Sequence, residues 1–295
     1  MNYPTMWLSH SMNRRIAIAQ IDSTVGNLKK NIEHHLRYIT KAIAKKAHIV
    51  VFPELSLTGY SVKDLNWDLA LRAEPNPLFS EFLKLSKRIT IIVGAIEEAK
   101  NYGIYNSAFV FEDGKVSSAH RKRYPPTYGM FEEMRYFNQG TDIRAFDSKF
   151  GMLGILICED MWHVSLPYIL AHDGADIIIS LTASPTRLSG PSEELTSALV
   201  NHEQHRAYAR LLSTYVVFAN RVGVEDGVNF WGGSQIVGPN GDALAKAKLF
   251  EEDLITADID ENEIRRARRF SRHFNDDSIE FTIQQLKNSL KRNTK

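Results

Sequence analysis

The sequence predicts an α/β chain built as a four-layer α-β-β-α sandwich of two sheets. Three observations carry that expectation. Short, continuously apolar stretches such as "HIVVFPE" (48–54) and "ADIIISL" (175–181) suit strands covered on both faces. Amphipathic helices alternate with them, and each half of the chain ends in a hairpin. No Pro/Gly/Ser-rich linker and no run of like charge divides the halves, so residues 14–260 read as one domain.

Taken in order, "RRIAIAQI" (14–21) is a first buried strand. Residues 27–47 follow with Ile32, Leu36, Ile39 and Ile43 at helical spacing. After the strand at 48–54 come an amphipathic helix at 77–88 and a third strand, "ITIIVGAIEE" (89–98). "IYNSAFVFEDGKVSSAHRK" turns back on itself at Asp113–Gly114, a strong two-residue hairpin signal. A loop rich in Pro, Tyr and Gly occupies 121–142, and "FGMLGILIC" (150–158) is the next strand. A helix at about 164–173, the strand at 175–181, a long helix at 191–213 and the strand "TYVVFANRV" (214–222) follow. A second hairpin centres on Asn240–Gly241, and "DLITADID" (253–260) is the last strand. Residues 1–13 are expected to be a flexible N-terminal extension, with Met12 a plausible alternative start. Residues 261–295 are expected to form a charged helical arm that makes contacts in a homo-oligomer, a dimer or higher.

Bulk properties narrow the function classes. Lys and Arg total 36 against 35 Asp and Glu, so charge gives no reason to expect nucleic acid or an anionic membrane as partner. No apolar run reaches the roughly 20 residues of a membrane helix. The N-terminus lacks the pattern of a signal peptide. A single cysteine, Cys158, forms no internal disulfide, which suits a reducing compartment and a cytoplasmic protein.

Several motifs fall away on inspection. "HEQH" (202–205) spaces its histidines by three, where a helical zinc site needs four. His202 and His205, like His34 and His35, are read as surface residues of charged helices. No phosphate-binding loop, no G-x-S-x-G elbow and no papain-type cysteine environment is present. No metal and no cofactor is expected.

Three positions remain. Glu54 ends an apolar strand, where a carboxylate is costly unless paired or used. It is either a turn-forming residue or a general base with its pKa raised by burial. Lys122, in "HRKRYPP", reads alone as a surface lysine between Arg121 and Arg123. Cys158 ends another apolar strand. It is either a small buried hydrophobe or a nucleophile whose thiolate is stabilised at the N-terminus of the following helix.

"FPELSLTGY", "HRKRYPPTYGMFEEMRYFNQG" and "LICEDMW" together resemble the three ordered blocks of the nitrilase superfamily of carbon–nitrogen hydrolases. Each block carries one of the three positions, with Lys122 placed 68 residues after Glu54 and Cys158 placed 36 after Lys122. The likeness runs from about residue 14 to 260. "CEDMW" and "NRVGVEDGVNFWGGSQIVGPNG" are similar to the glutaminase domain of glutamine-dependent NAD synthetases. The chain departs from those synthetases in showing no S-G-G-x-D-[ST] pyrophosphate loop and no second, ATP-using domain, so it is not expected to make NAD unaided. "TASPTRLSG" and "HVSLPYIL" are also irregular for that branch.

The resemblance implies an amidase. Cys158 is its nucleophile, Glu54 its base, Lys122 its electrostatic stabiliser and Glu133 the second glutamate that orients the lysine and the substrate. Tyr60, Tyr128, Phe131, Glu159, Trp162 and Ser184 fall where that branch lines its pocket. Arg187 is a candidate for holding a substrate carboxylate. The expected substrate is a small linear, glutamine-like amide, with ammonia released or passed to a separate ammonia-using partner. Hydrolysis of N-carbamoyl amides, acyl transfer and a non-catalytic scaffold are the competing readings.

Overall fold

The computed structural model describes residues 14–74, 76–186 and 195–293. In chain order the strands are β1 (Arg14–Gln20), β2 (Ile49–Val51), β3 (Thr90–Glu98), β4 (Ile104–Glu112), β5 (Lys115–Arg121), β6 (Phe146–Ser148), β7 (Gly151–Ile157), β8 (Ile177–Thr182), β9 (Pro185–Thr186), β10 (Tyr215–Asn220), β11 (Val222–Glu225), β12 (Val228–Trp231), β13 (Gln235–Val237), β14 (Ala243–Lys246) and β15 (Asp253–Ile259). The helices are α1 (Leu28–Ala44), α2 (Asn66–Leu69), α3 (Ser80–Leu85), α4 (Glu133–Tyr136), α5 (Ser165–His172), α6 (Thr196–Leu212), α7 (Glu261–Phe270) and α8 (Ile279–Asn293). Among the described residues, none of these helices is long and apolar enough to cross a membrane.

One sheet runs β15-β1-β2-β3-β4-β5 and the other β14-β13-β10-β8-β7-β6. β1, β2 and β3 are mutually parallel, as are β7, β8 and β10. The two halves are tied together by β15, which crosses back and pairs antiparallel with β1 along its whole length, from Arg14–Ile259 to Gln20–Asp253.

Alternation along the strands creates the four layers. Ile16, Ile18, Ile49 and Val51 face inward and meet Leu153, Ile155, Ile177, Ile179 and Val217 of the opposite sheet. Ala17, Ala19, Val50 and Val93 face outward and are covered by Ile39, Ala42, Phe79 and Phe82 from the α1 and α3 side. On the far side, Leu156, Ile178 and Val216 pack under Leu166, Leu170 and Leu212 of α5 and α6. Burial on both faces is why these strands read as unbroken apolar runs.

The Asp113–Gly114 hairpin forms as expected. Both residues have positive φ, +54° and +76°, the condition for a type I′ turn. The histidines differ from expectation. His35, His202 and His205 are buried rather than on the surface. Each has a polar partner or an aromatic neighbour that hydropathy spacing does not reveal. His35 bonds the Asn31 carbonyl at 2.7 Å and the Ser56 hydroxyl at 3.0 Å. His202 bonds the Gly233 carbonyl at 2.7 Å, and the His205 ring lies against Phe218, tilted by 32° with centroids 4.4 Å apart. Burial lowers the pKa of His35 and of His205 to about 3, so both rings are neutral.

One glycine decides how the loop after β2 sits. A Cβ on Gly94 would lie 2.3 Å from the Leu55 amide nitrogen and 2.4 Å from the Pro53 carbonyl oxygen. Only a bare backbone on β3 lets the Pro53–Leu55 segment pass. Gly94→Ala is therefore expected to cost about 1–3 kcal/mol of stability through overpacking, read by chemical denaturation. Because it pushes on both neighbours of Glu54, it should also impair whatever Glu54 does.

Candidate active site

The site lies beyond the ends of strands from both large sheets, β2 and β5 of one and β7 of the other. Glu54 follows β2, Lys122 follows β5, and Cys158 follows β7. Each is held by its neighbours. Leu55 adopts a left-handed φ of +48°, and the Leu57 amide donates to the Gly94 carbonyl at 3.0 Å. From α1, the Asn31 side-chain amide donates to the Leu57 carbonyl at 2.9 Å. The Lys122 backbone N–H donates to Asn106 at 2.9 Å, and its carbonyl accepts from Gly140 at 2.7 Å.

Lys122, Glu54 and Glu133 form a buried triad. The Lys122 ammonium donates to Glu54 Oε1 and to Glu133 Oε1, both at 2.7 Å, and all three side chains are at least 95% buried. Asn106 of β4 donates through Nδ2 to Glu54 Oε1 at 2.8 Å and to Glu133 Oε2 at 3.4 Å. Tyr60 donates to Glu133 Oε1 at 2.6 Å, and the Ala183 amide donates to Glu54 Oε2 at 2.9 Å. Every contact on these carboxylates comes from a donor, as buried acceptors require.

Two negative groups flank one positive group, and the pKa values follow. Burial and the neighbouring Glu54 raise Glu133 to about 7, against the pull of Lys122. Burial disfavours the Lys122 charge, but Glu133 and Glu54 outweigh it and hold its pKa well above the ordinary lysine value. Burial and Glu54 push the Cys158 thiol well above the ordinary cysteine value, with Lys122 and the Ala183 amide pulling the other way. This corrects the expectation of a thiolate stabilised by a helix. Cys158 instead opens a five-residue 3₁₀ turn, Cys158–Trp162, and its own φ is +48°. A short turn supplies little dipole, and burial, followed by the Glu54 charge, outweighs it.

The partly buried Cys158 lies in a pocket of about 320 Å³ that is also lined by Tyr128, Phe131, Glu159, Trp162 and Ser184. Tyr128 donates to Glu159 Oε2 at 2.7 Å, and Ser184 Oγ accepts from the Trp231 indole at 3.0 Å. Tyr60 stands apart from the other pocket candidates. It lines a neighbouring cavity of about 280 Å³ together with Glu133. Arg187 lies outside the described residues. Sequence reading missed Asn106, which sits inside an apolar strand. It also missed Asn201 and Thr196 of α6, which line the Cys158 pocket. The polar pair Asn106–Ser107 interrupting the apolar run "IYNSAFVF" was the available signal for Asn106. Glu54 and Lys122 are not among the residues lining this pocket but act electrostatically on the Cys158 thiol, so a thiol, a carboxylate and a fixed cation meet at the site.

Residues 15–269 match the model of the carbon-nitrogen hydrolase family. A glutamine-dependent NAD(+) synthetase of Thermotoga maritima is 30% identical over 254 residues, covering 84% of this chain and 42% of the relative. This chain thus spans less than half the length of that relative. A probable nitrilase of Schizosaccharomyces pombe is 27% identical over 266 residues, covering 88% of this chain and 93% of the relative. Among solved structures, a carbon-nitrogen hydrolase of Helicobacter pylori superposes with a TM-score of 0.81 at 29% identity, over 93% of this chain and 98% of the other. Saccharomyces cerevisiae Nit3, at 24% identity and a TM-score of 0.75 over 88% of this chain and 94% of its own, shares the fold. The chain belongs to the carbon-nitrogen hydrolase family and is a hydrolase of C–N bonds.

Proposed function

We propose that the chain is an amidase that cleaves a small linear, glutamine-like amide to a carboxylic acid and ammonia through a thioester on Cys158. The observation that carries this reading is the buried Lys122 ammonium, held at 2.7 Å by both Glu54 and Glu133 and coupled electrostatically to the only thiol in the chain.

The residue types support a covalent route, which splits a hard amide hydrolysis into two easier steps. Cys158 attacks the amide carbon while Glu54 takes the thiol proton. The tetrahedral oxyanion forms against the Lys122 cation, a preorganised charge in a water-poor recess. Glu54 passes the proton to the leaving nitrogen, the C–N bond breaks and ammonia departs. Water then adds to the thioester, giving its proton to Glu54, and the C–S bond breaks to return the thiol and the carboxylic acid. Glu133 and Asn106 keep the lysine and the base in register. The pocket, with its aromatic walls and a single carboxylate, Glu159, beside Tyr128, suits a compact polar amide. The likeness to glutamine-dependent synthetases supports glutamine as the first substrate to try. A lone thiol that must stay reduced fits a cytoplasmic setting.

Cys158→Ala is expected to cut ammonia release by about 10⁴-fold or more while leaving the circular dichroism unchanged. Testing glutamine, asparagine, short aliphatic amides and carbamoyl amines would identify the substrate. Unaltered release from every amide in the variant would overturn the reading. The acidic limb of kcat/KM should fall near pH 7, where Glu133 takes up a proton and loosens its hold on the Lys122 ammonium. Glu133→Gln removes the group that titrates there, so the limb near pH 7 should disappear while kcat drops. Glu54→Gln has a sign that is easy to miss. Glu54 raises the thiol pKa, so its loss should move the pH profile of iodoacetamide alkylation of Cys158 to lower pH even as turnover is lost.

A further inference from the structure

Asp160 lies two residues beyond Cys158, is fully buried and is not among the residues lining the pocket. Its carboxylate accepts backbone N–H groups from two separate segments. Oδ2 accepts from Ile157, the residue before Cys158, at 3.1 Å. Oδ1 accepts from Arg123 at 3.1 Å and Tyr124 at 2.9 Å, the two residues after Lys122. One side chain thus pins the start of the thiol-bearing turn to the segment that follows the lysine. Both anchored places need support. Cys158 holds a left-handed backbone conformation, which is strained for a non-glycine residue. Lys122 has no exposed surface and cannot adjust through solvent. The nearest titratable neighbour of the carboxylate, the nine-tenths-buried His120, stands at 3.9 Å, and its Nε2 has no hydrogen-bond partner among the described residues.

We propose that Asp160 is a positioning residue that fixes the Cys158 thiol relative to the Lys122 ammonium. The proposal rests on the amidase reading for its kinetic consequence alone. An acceptor-only group is required, because both oxygens receive N–H donors. Asp160→Asn keeps the shape but turns an NH2 toward one of those donors, so the two segments lose their common anchor.

The test uses the whole chain, in which Cys158 is the only thiol and alkylation reports on one site. Asp160→Asn is expected to shift the pH profile of iodoacetamide alkylation upward, because a displaced Lys122 no longer favours the thiolate. With the substrate found in the ammonia screen, kcat should fall by about 10–100-fold with KM within about threefold, the cost of a misplacement near 1 Å. An alkylation profile that overlays wild type, with kcat within about twofold, overturns the proposal. So does a loss of activity that only tracks the fraction of folded protein. If Asp160→Asn does not fold, Asp160→Glu keeps the charge and misplaces it, and should show the same upward shift. If wild type hydrolyses no amide, the amidase reading fails, while the alkylation profile still decides the role of Asp160.

Discussion

The structure is organised around one buried ammonium. Lys122 has no contact with solvent, and its charge is tolerated because Glu54 and Glu133 each accept one of its protons at 2.7 Å. Desolvating three ions is expensive, and removing one partner from such a set typically costs about 3–5 kcal/mol because another charge is left alone. The surroundings are therefore donors: the Asn106 amide, the Tyr60 hydroxyl and the Ala183 backbone N–H. Asn106 and Tyr60 share with the lysine the oxygens Glu54 Oε1 and Glu133 Oε1, and the Ala183 amide satisfies Glu54 Oε2, which the lysine does not bond. Burial, with the excess of negative charge adding to it, raises Glu133 and the Cys158 thiol together.

Such a cluster can exist only where backbone segments approach closely and stay put. Parallel strands buried on both faces provide fixed ends, and the loops leaving them are clamped. Gly94 lets the Glu54 segment lie against β3, and Gly140 does the same for Lys122. A Cβ on Gly140 would come 2.3 Å from the Arg121 carbonyl. Asn31 and His35 of α1 hold the far side of the Glu54 loop with bonds to Leu57 and Ser56. The polar residues on the buried face of α1 are thus tied to the site two layers away.

This also explains what could and could not be read from the sequence. Glu54 and Cys158 were legible because each ends an apolar run, and Lys122 because it precedes a proline-stiffened loop within a recognisable block. The layers were legible because both-face burial leaves unbroken hydrophobic strands. The pairing of β15 with β1 was not, since nothing in the spacing of strands says which edge a last strand will find. Buried histidines were misread because their partners, the Asn31 and Gly233 carbonyls, leave no trace in hydropathy. Asn106 was hidden for the opposite reason. It sits in a run whose other members are packed core, and its importance lies in which carboxylates reach it across the sheet. The thiol was misjudged by treating the local turn as decisive when burial, and after it the Glu54 charge, outweighs it.

That last error points to how the site controls its own chemistry. A thiolate is both the better nucleophile and the form open to oxidation. Here burial and two carboxylates hold Cys158 protonated, and only Lys122 and one backbone amide favour the anion. On the amidase reading, sulfur gives up its proton only as Glu54 takes it and negative charge passes to the oxygen of a bound amide facing Lys122. Reactivity is then created by the substrate rather than stored in the cysteine. A helix-activated thiolate would have been reactive toward any electrophile that reached it. The carboxylate-rich cage gives up that standing reactivity, and in exchange the same Glu54 that restrains the thiol is available to protonate the departing nitrogen.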